Sequence, residues 1–225
     1  MDKEEFALQR EGYVAAIRHP EFVGAILSGE HQRIALTYVE WSGTDRQTVI
    51  VPWRVIDGDE AANSFADVLV AQPVVIDRGT SISAALIFGT ALFAANDYDT
   101  DRRVIDVSGD GPNNYGPTVT AARDYAVGQG VVINGLPILI RPSPLYPAMD
   151  RYYTDCVIGG IGSFVLPIVA KEEFAQAIRQ KLVIEVAAQP GDAAELVHVT
   201  GHEPADCLIG ERMRTKYADP YLPGL

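Results

Sequence analysis

Cysteine and histidine are scarce: the chain has two cysteines, Cys156 and Cys207, and four histidines. Two thiols build a four-ligand zinc site only if histidines stand at suitable spacing. His198 and His202 precede Cys207 in VHVTGHEPADC, but Gly201 and Pro204 break any helix that would put both rings on one face. A zinc cluster is therefore not expected. The alternative is a Cys156–Cys207 disulfide stapling the tail to the domain, conditional on export to an oxidising compartment. No apolar run reaches the ~18 residues of a membrane span. The chain opens MDKEEF, charged from its second residue, so no secretory leader is visible. Taken literally, that start is cytoplasmic. Lys and Arg number 18 against 30 Asp and Glu, a net charge of −12. This argues against nucleic acid or an anionic membrane as partner; solubility is sufficient reason for the acidity. No phosphate-loop motif and no G-x-S-x-G elbow occurs.

What is present suits one α/β domain plus a tail: 225 residues, 48% hydrophobic and 21% charged. The organising stretch is RRVIDVSGDGPNN, residues 102–114. Val104, Ile105 and Val107 read as a buried strand that ends in a small-residue turn carrying Asp110. In open α/β sheets the ligand site lies at the carboxyl ends of such strands. Around it the patterning predicts helices over 2–18 and 21–27. Strands follow over 33–41 and 48–53, joined as an antiparallel hairpin with Pro52 on the edge strand. Helices are predicted over 59–71, 81–96, 117–129 and 171–187, with Pro117 at the first helical position of its helix. Further strands are predicted over 102–107, 131–139 and 163–169, and a short helix around 147–156. Strands alternating with helices give a doubly wound, mostly parallel sheet with one antiparallel edge strand. Residues 1–187 form the domain; 188–225 form an appendage, with a mobile end.

Two look-alike motifs fail. Asp106–Gly111 resembles the start of a calcium-binding helix-loop-helix, but the twelfth position is Pro117 and the loop follows a strand. Gly109-Asp110-Gly111 opens like a dinucleotide fingerprint, but Asn114 occupies the third glycine position. His19 and His31 read as solvated loop residues, and Trp41 and Trp53 as packing residues. From the residues alone, Thr80 serves either as a helix N-cap or as an oxygen ligand, and Asp110 either as a turn former or as a ligand.

The motifs LQREGYVAAIRHPEFVGAI, RIALTYVEWSG, RGTSISAAL, RRVIDVSGDGPNN, INGLPIL and YYTDCVIGGIGSFV, taken together, resemble a von Willebrand factor A-like domain. The nearest likeness is to a bacterial domain-of-unknown-function group of that superfamily, from Leu8 to about Ala187. The resemblance implies a metal-ion-dependent adhesion site at the top of the sheet. There a D-x-S-x-S loop after the first, central strand, a Thr from a second loop and an Asp from a third hold a divalent cation. Thr80 and Asp110 match the Thr and the Asp, with Ser108, Asn113 and Asn114 shaping the site. Mg²⁺ or Mn²⁺ accepts oxygen ligands and retains several waters, so an open position can take a partner's carboxylate. The D-x-S-x-S loop and the central strand have no counterpart here: the helix that follows them in relatives starts at Asp2.

Either the strand, the loop and a signal peptide lie upstream of Met1, or the chain is a variant without them. The first is expected, because a doubly wound sheet without its central strand leaves backbone groups unpaired at ~1–3 kcal/mol each. Relatives of this kind are exported, which implies a periplasmic or secreted protein and suits the disulfide. The chain as written is expected to bind Mg²⁺ or Mn²⁺ weakly or not at all. The expected function is a non-enzymatic module that binds an acidic group on an unidentified protein partner. The alternatives are an envelope component without a working metal site and a hydrolase using the same crevice. The strands 33–41 and 102–107 are expected to be neighbours separated by a strand-wide gap, or abnormally closed onto each other, in place of a conventional six-stranded sheet.

Overall fold

The computed structural model describes residues 3–73, 79–143, 146, 148–187 and 203–217. Helix α1 (Lys3–Ile17) leads through the Pro20 start of α2 (Pro20–Ser28). The hairpin β1 (Ile34–Trp41) and β2 (Gln47–Ile56) follows, closed by Ser42 N donating to Arg46 O at 3.0 Å. β2 is longer than its apolar pattern predicts because the ladder continues past Pro52. That residue is exposed on the edge, and the register slips around Thr37–Tyr38, where Thr37 Oγ1 donates to Val51 O at 2.8 Å.

Helix α3 (Asp59–Ala71) buries Ala62, Phe65, Ala66 and Leu69. Helix α4 (Ile82–Ala94) begins one residue later than predicted, with Ser81 as N-cap. β3 (Arg103–Gly109), α5 (Val119–Gly128) and β4 (Val131–Pro137) form a parallel crossover unit. Pro117 stands ahead of the Thr118 N-cap rather than at the first helical position. A four-residue helix, α6 (Met149–Tyr152), widens into a π turn over Tyr153–Val157, and α7 (Phe174–Ala187) follows a single 3₁₀ turn. The predicted strand 163–169 is reduced to bridges beside β4, with Gly135 N to Phe164 O at 3.0 Å and Ile168 N to Pro137 O at 2.9 Å. Pro167 has no N–H to extend that ladder.

Two apolar cores pack on opposite faces of the strands, as a doubly wound architecture requires. One joins α1, α2, α3 and α7 around Ile17, Phe22, Phe65 and Phe174. The other joins α4, α5 and the π turn around Leu86, Val107, Ile133 and Tyr153. Among the described residues the sheet is split: β1 pairs only with β2, and β3 only with β4, whose other edge and following residue carry the bridges. A cavity of about 990 Å³ lies between the halves, lined by all of β1 and by Val104–Gly109 of β3. The two strand pairs are thus separated by a gap rather than joined in one sheet. Within the tail, α8 (Ile209–Tyr217) is ordered. The predicted loss of periodicity after Gln189, His198 and His202, and the chain end at 218–225 lie outside the described residues, as does the Asp2 start of the first helix.

Candidate functional site

Two loops meet where β3 ends and α4 begins. Gly79 adopts φ +92° and Gly116 φ +84°, conformations open to glycine. A Cβ on Gly116 would stand 2.9 Å from Ser81 Oγ and 3.0 Å from Ser83 Oγ. The loops are stitched by backbone and asparagine groups. Thr80 O accepts from Asn114 N at 2.8 Å and Tyr115 N at 3.2 Å, and Thr80 N donates to Asn114 Oδ1 at 2.9 Å. Asn113, fully buried, accepts from Ser83 N at 3.0 Å and donates through Nδ2 to Pro117 O at 3.1 Å. Ser81, not Thr80, supplies the helix cap, accepting from Ala84 N at 3.3 Å. Thr80 is therefore not used as an N-cap. Its Oγ1 lies 3.7 Å from the point where a Cβ on Gly111 would sit, beside the Asp110 turn.

Thr80 and Asp110 both line the cavity. At this end Gly109 fits between two rings: a Cβ there would be 3.0 Å from the Tyr153 hydroxyl and 3.5 Å from the Trp41 indole. The Tyr153 hydroxyl is buried without a hydrogen-bond partner among the described residues. Burial pushes its pKa well above the usual tyrosine value, and the Asp110 charge adds to that. Asn113 and Asn114 thus fix the loops, whereas Ser108 faces elsewhere: it accepts from Gln9 Nε2 of α1 and lies 3.4 Å from the Tyr13 hydroxyl. A hydroxyl and a carboxylate are donors that suit a hard cation, but they fill only part of its coordination shell. Among the described residues no three His, Cys, Asp or Glu side chains cluster as metal ligands.

One wall of the cavity is polar. Lys181 of α7 is fully buried, with Nζ 2.6 Å from Asp106 Oδ1 and 2.5 Å from Glu185 Oε1. Glu185 Oε1 also accepts from Asn134 Nδ2 at 2.7 Å, and Tyr13 OH reaches Asp106 Oδ2 at 3.3 Å. Burial, ahead of the opposing pull of Lys181, raises the Asp106 pKa to about 6. The signal was present: Asp106 interrupts an apolar strand, and Lys181 and Glu185 share the inward stripe of α7 with Ile178 and Leu182. A second buried pair, Arg10–Glu40, ties α1 to β1, and Arg10 also donates to Pro73 O at 3.2 Å.

Cys156 and Cys207 form a disulfide across 51 residues of sequence. His19 caps α2 and His31 pairs with Asp101 at 3.0 Å. No described helix is long and apolar enough to cross a membrane.

The fold is that of a von Willebrand factor A-like domain. It is similar to the mussel byssus proximal thread matrix protein 1, solved with a zinc-occupied metal-ion-dependent adhesion site, at 15% identity and TM-score 0.61 over 83% of this chain. The chain spans 43% of the length of that protein. Weaker similarity extends to an aerotolerance-related membrane protein of Bacteroides fragilis (17% identity, TM-score 0.45, 78% of this chain and 87% of that one). It extends also to BatB of Bacteroides thetaiotaomicron (14% identity, TM-score 0.47, 80% and 88%). No curated protein matches the sequence. Residues 1–190 match the family described as protein of unknown function DUF1194, and the chain belongs to that family.

Proposed function

We propose that the chain is a non-enzymatic protein-binding module that works from the crevice at the strand ends. The observation that carries this reading is the stitched pair of loops, which presents Thr80 and Asp110 at the edge of the cavity between β1 and β3. In its complete form a strand fills the cavity and its following loop adds oxygen ligands beside Thr80 and Asp110. A divalent cation, Mg²⁺ or Mn²⁺, held there would leave one position for an acidic group of a partner protein. Among the described residues the two cysteines bond each other, and His19 and His31 have partners, which weighs against a hydrolase. The disulfide supports a periplasmic or secreted setting.

The test is a Mn²⁺ titration, followed by electron paramagnetic resonance, of two proteins. One is the chain as given; the other carries a strand and a D-x-S-x-S loop joined ahead of Met1. Weak or absent binding by the first and tight binding by the second is expected. Asp110→Asn should weaken the second by more than the roughly 10–100-fold that outer partners contribute. Equal, weak binding by both would leave the domain a structural component without a cation site.

A further inference from the structure

The tail segment 203–217 lies beyond the family match, which ends at residue 190, yet it grips the loop that carries Asp110. Glu211 Oε1 accepts from Asn113 Nδ2 at 2.7 Å. Asn113 is the side chain that also binds Ser83 N and Pro117 O. The start of α8 presses backbone to backbone on the same residue: a Cβ on Gly210 would come to 2.0 Å from Asn113 O. Arg214 lies 4.6 Å over the ring of Tyr115, the next residue but one. We propose that this segment is a redox-released clasp: while Cys156 and Cys207 are bonded, Glu211 holds Asn113 and fixes the site loop, and reduction releases it.

The redox dependence follows from the shortness of the clasp: Arg151 donates to Glu203 O and Tyr146 OH to Ile209 O at 3.5 Å, but the disulfide is the covalent tie. α8 has nine residues, IGERMRTKY, too few for a stable helix alone in water. Of its side chains, Ile209 joins the apolar core. The disulfide, together with Ala205 N donating to Asp155 Oδ2 at 2.7 Å, makes docking an intramolecular event at high effective concentration. Cys156 is fully buried and Cys207 half-buried, so an external dithiol attacks the Cys207 sulfur. The S–S bond breaks, and Cys156 leaves as a thiolate and takes up a proton. The second thiol of the reagent then resolves the mixed disulfide and frees Cys207. Two electrons and two protons pass to the protein, and the dithiol becomes a disulfide. Glu211 is a positioning residue in this scheme, and the scheme does not depend on a bound cation.

Amide hydrogen exchange on the full chain tests it, in the oxidised protein, after dithiol reduction, and in the oxidised Glu211→Ala and Glu211→Gln variants. Exchange at Ser83 and at Asn113–Tyr115 should rise by about tenfold or more on reduction and in Glu211→Ala, as loss of a charged hydrogen bond implies. Glu211→Gln, which keeps an acceptor for Asn113, should restore most of the protection, and β3–β4 amides should not change. Unchanged exchange at those four residues after reduction would overturn the proposal. So would an equal rise in β3 and β4, which would make the disulfide a brace for the whole fold. If Glu211→Ala does not fold, the reduction of the unaltered chain still decides.

Discussion

Replacing Lys181 by Met removes the one ammonium that lies between Asp106 and Glu185, at 2.6 and 2.5 Å, in a place with no solvent access. The methionine fills similar volume, so the loss is electrostatic rather than a cavity. Breaking a buried ion pair from one side leaves an uncompensated charge and costs about 3–5 kcal/mol. Set against a typical total of about 5–15 kcal/mol, this is a large fraction. The deficit should depend on pH. Without Lys181 the two carboxylates repel, and Asp106, already raised to about 6 by burial, moves higher. A folded-state pKa above the unfolded value means stability is greatest below the unfolded pKa and is lost as pH rises through the folded one. Urea unfolding followed by circular dichroism at pH 5 and pH 8 should therefore show a smaller deficit at pH 5. Adding Asp106→Asn should recover part of the loss at pH 8. A deficit below about 1 kcal/mol at pH 8, or one equal at both pH values, would refute the reasoning.

The unaltered chain should itself become less stable as pH rises from about 4 to about 6, because burial raises the pKa of both Asp106 and Glu40. For Asp106 this amounts to at most about 3 kcal/mol, at about 1.4 kcal/mol per pH unit; Asp106→Asn should flatten the slope of urea midpoint against pH. Cys207→Ser should release the tail segment as reduction does, and should lower the urea midpoint by much less than the ~4 kcal/mol that loop closure over 51 residues would give if the bond braced the whole fold. Gly116→Ala should cost about 1–3 kcal/mol, since it places a side chain at φ +84° against Ser81 and Ser83. A midpoint within experimental error of the parent would show that the loop adapts.

Local patterns carried most of the fold because each matched its tertiary setting. The amphipathic stripe over Asp59–Ala71 predicts α3 with its observed bounds, and the β-branched run of Arg102–Val107 predicts β3. The split between β1 and β3 was also legible, through the family order of strands rather than through any property of the two strands themselves. Thr80 and Asp110 were legible as loop residues at strand ends. What holds those loops was less so: the cap moved from Thr80 to Ser81, and Ser108 turned towards Gln9 and Tyr13. Such choices depend on which donors happen to lie within about 3 Å once the chain has folded, and sequence spacing does not encode that. The Lys181–Asp106 pair and the grip of Glu211 on Asn113 join residues 75 and 98 positions apart, so the local pattern marks Asp106 and Lys181 as polar residues in apolar stripes but does not pair them.

In the proposed function the cavity between β1 and β3 is a strand slot that opens onto Thr80 and Asp110. Trp41 and Trp53, the only tryptophans in the chain, both line it, so their fluorescence reports directly on its occupancy. Joining a strand and D-x-S-x-S loop ahead of Met1 should shift their emission to shorter wavelength and shield them from acrylamide. Unchanged emission and quenching, with the added segment still cut by protease, would contradict the account.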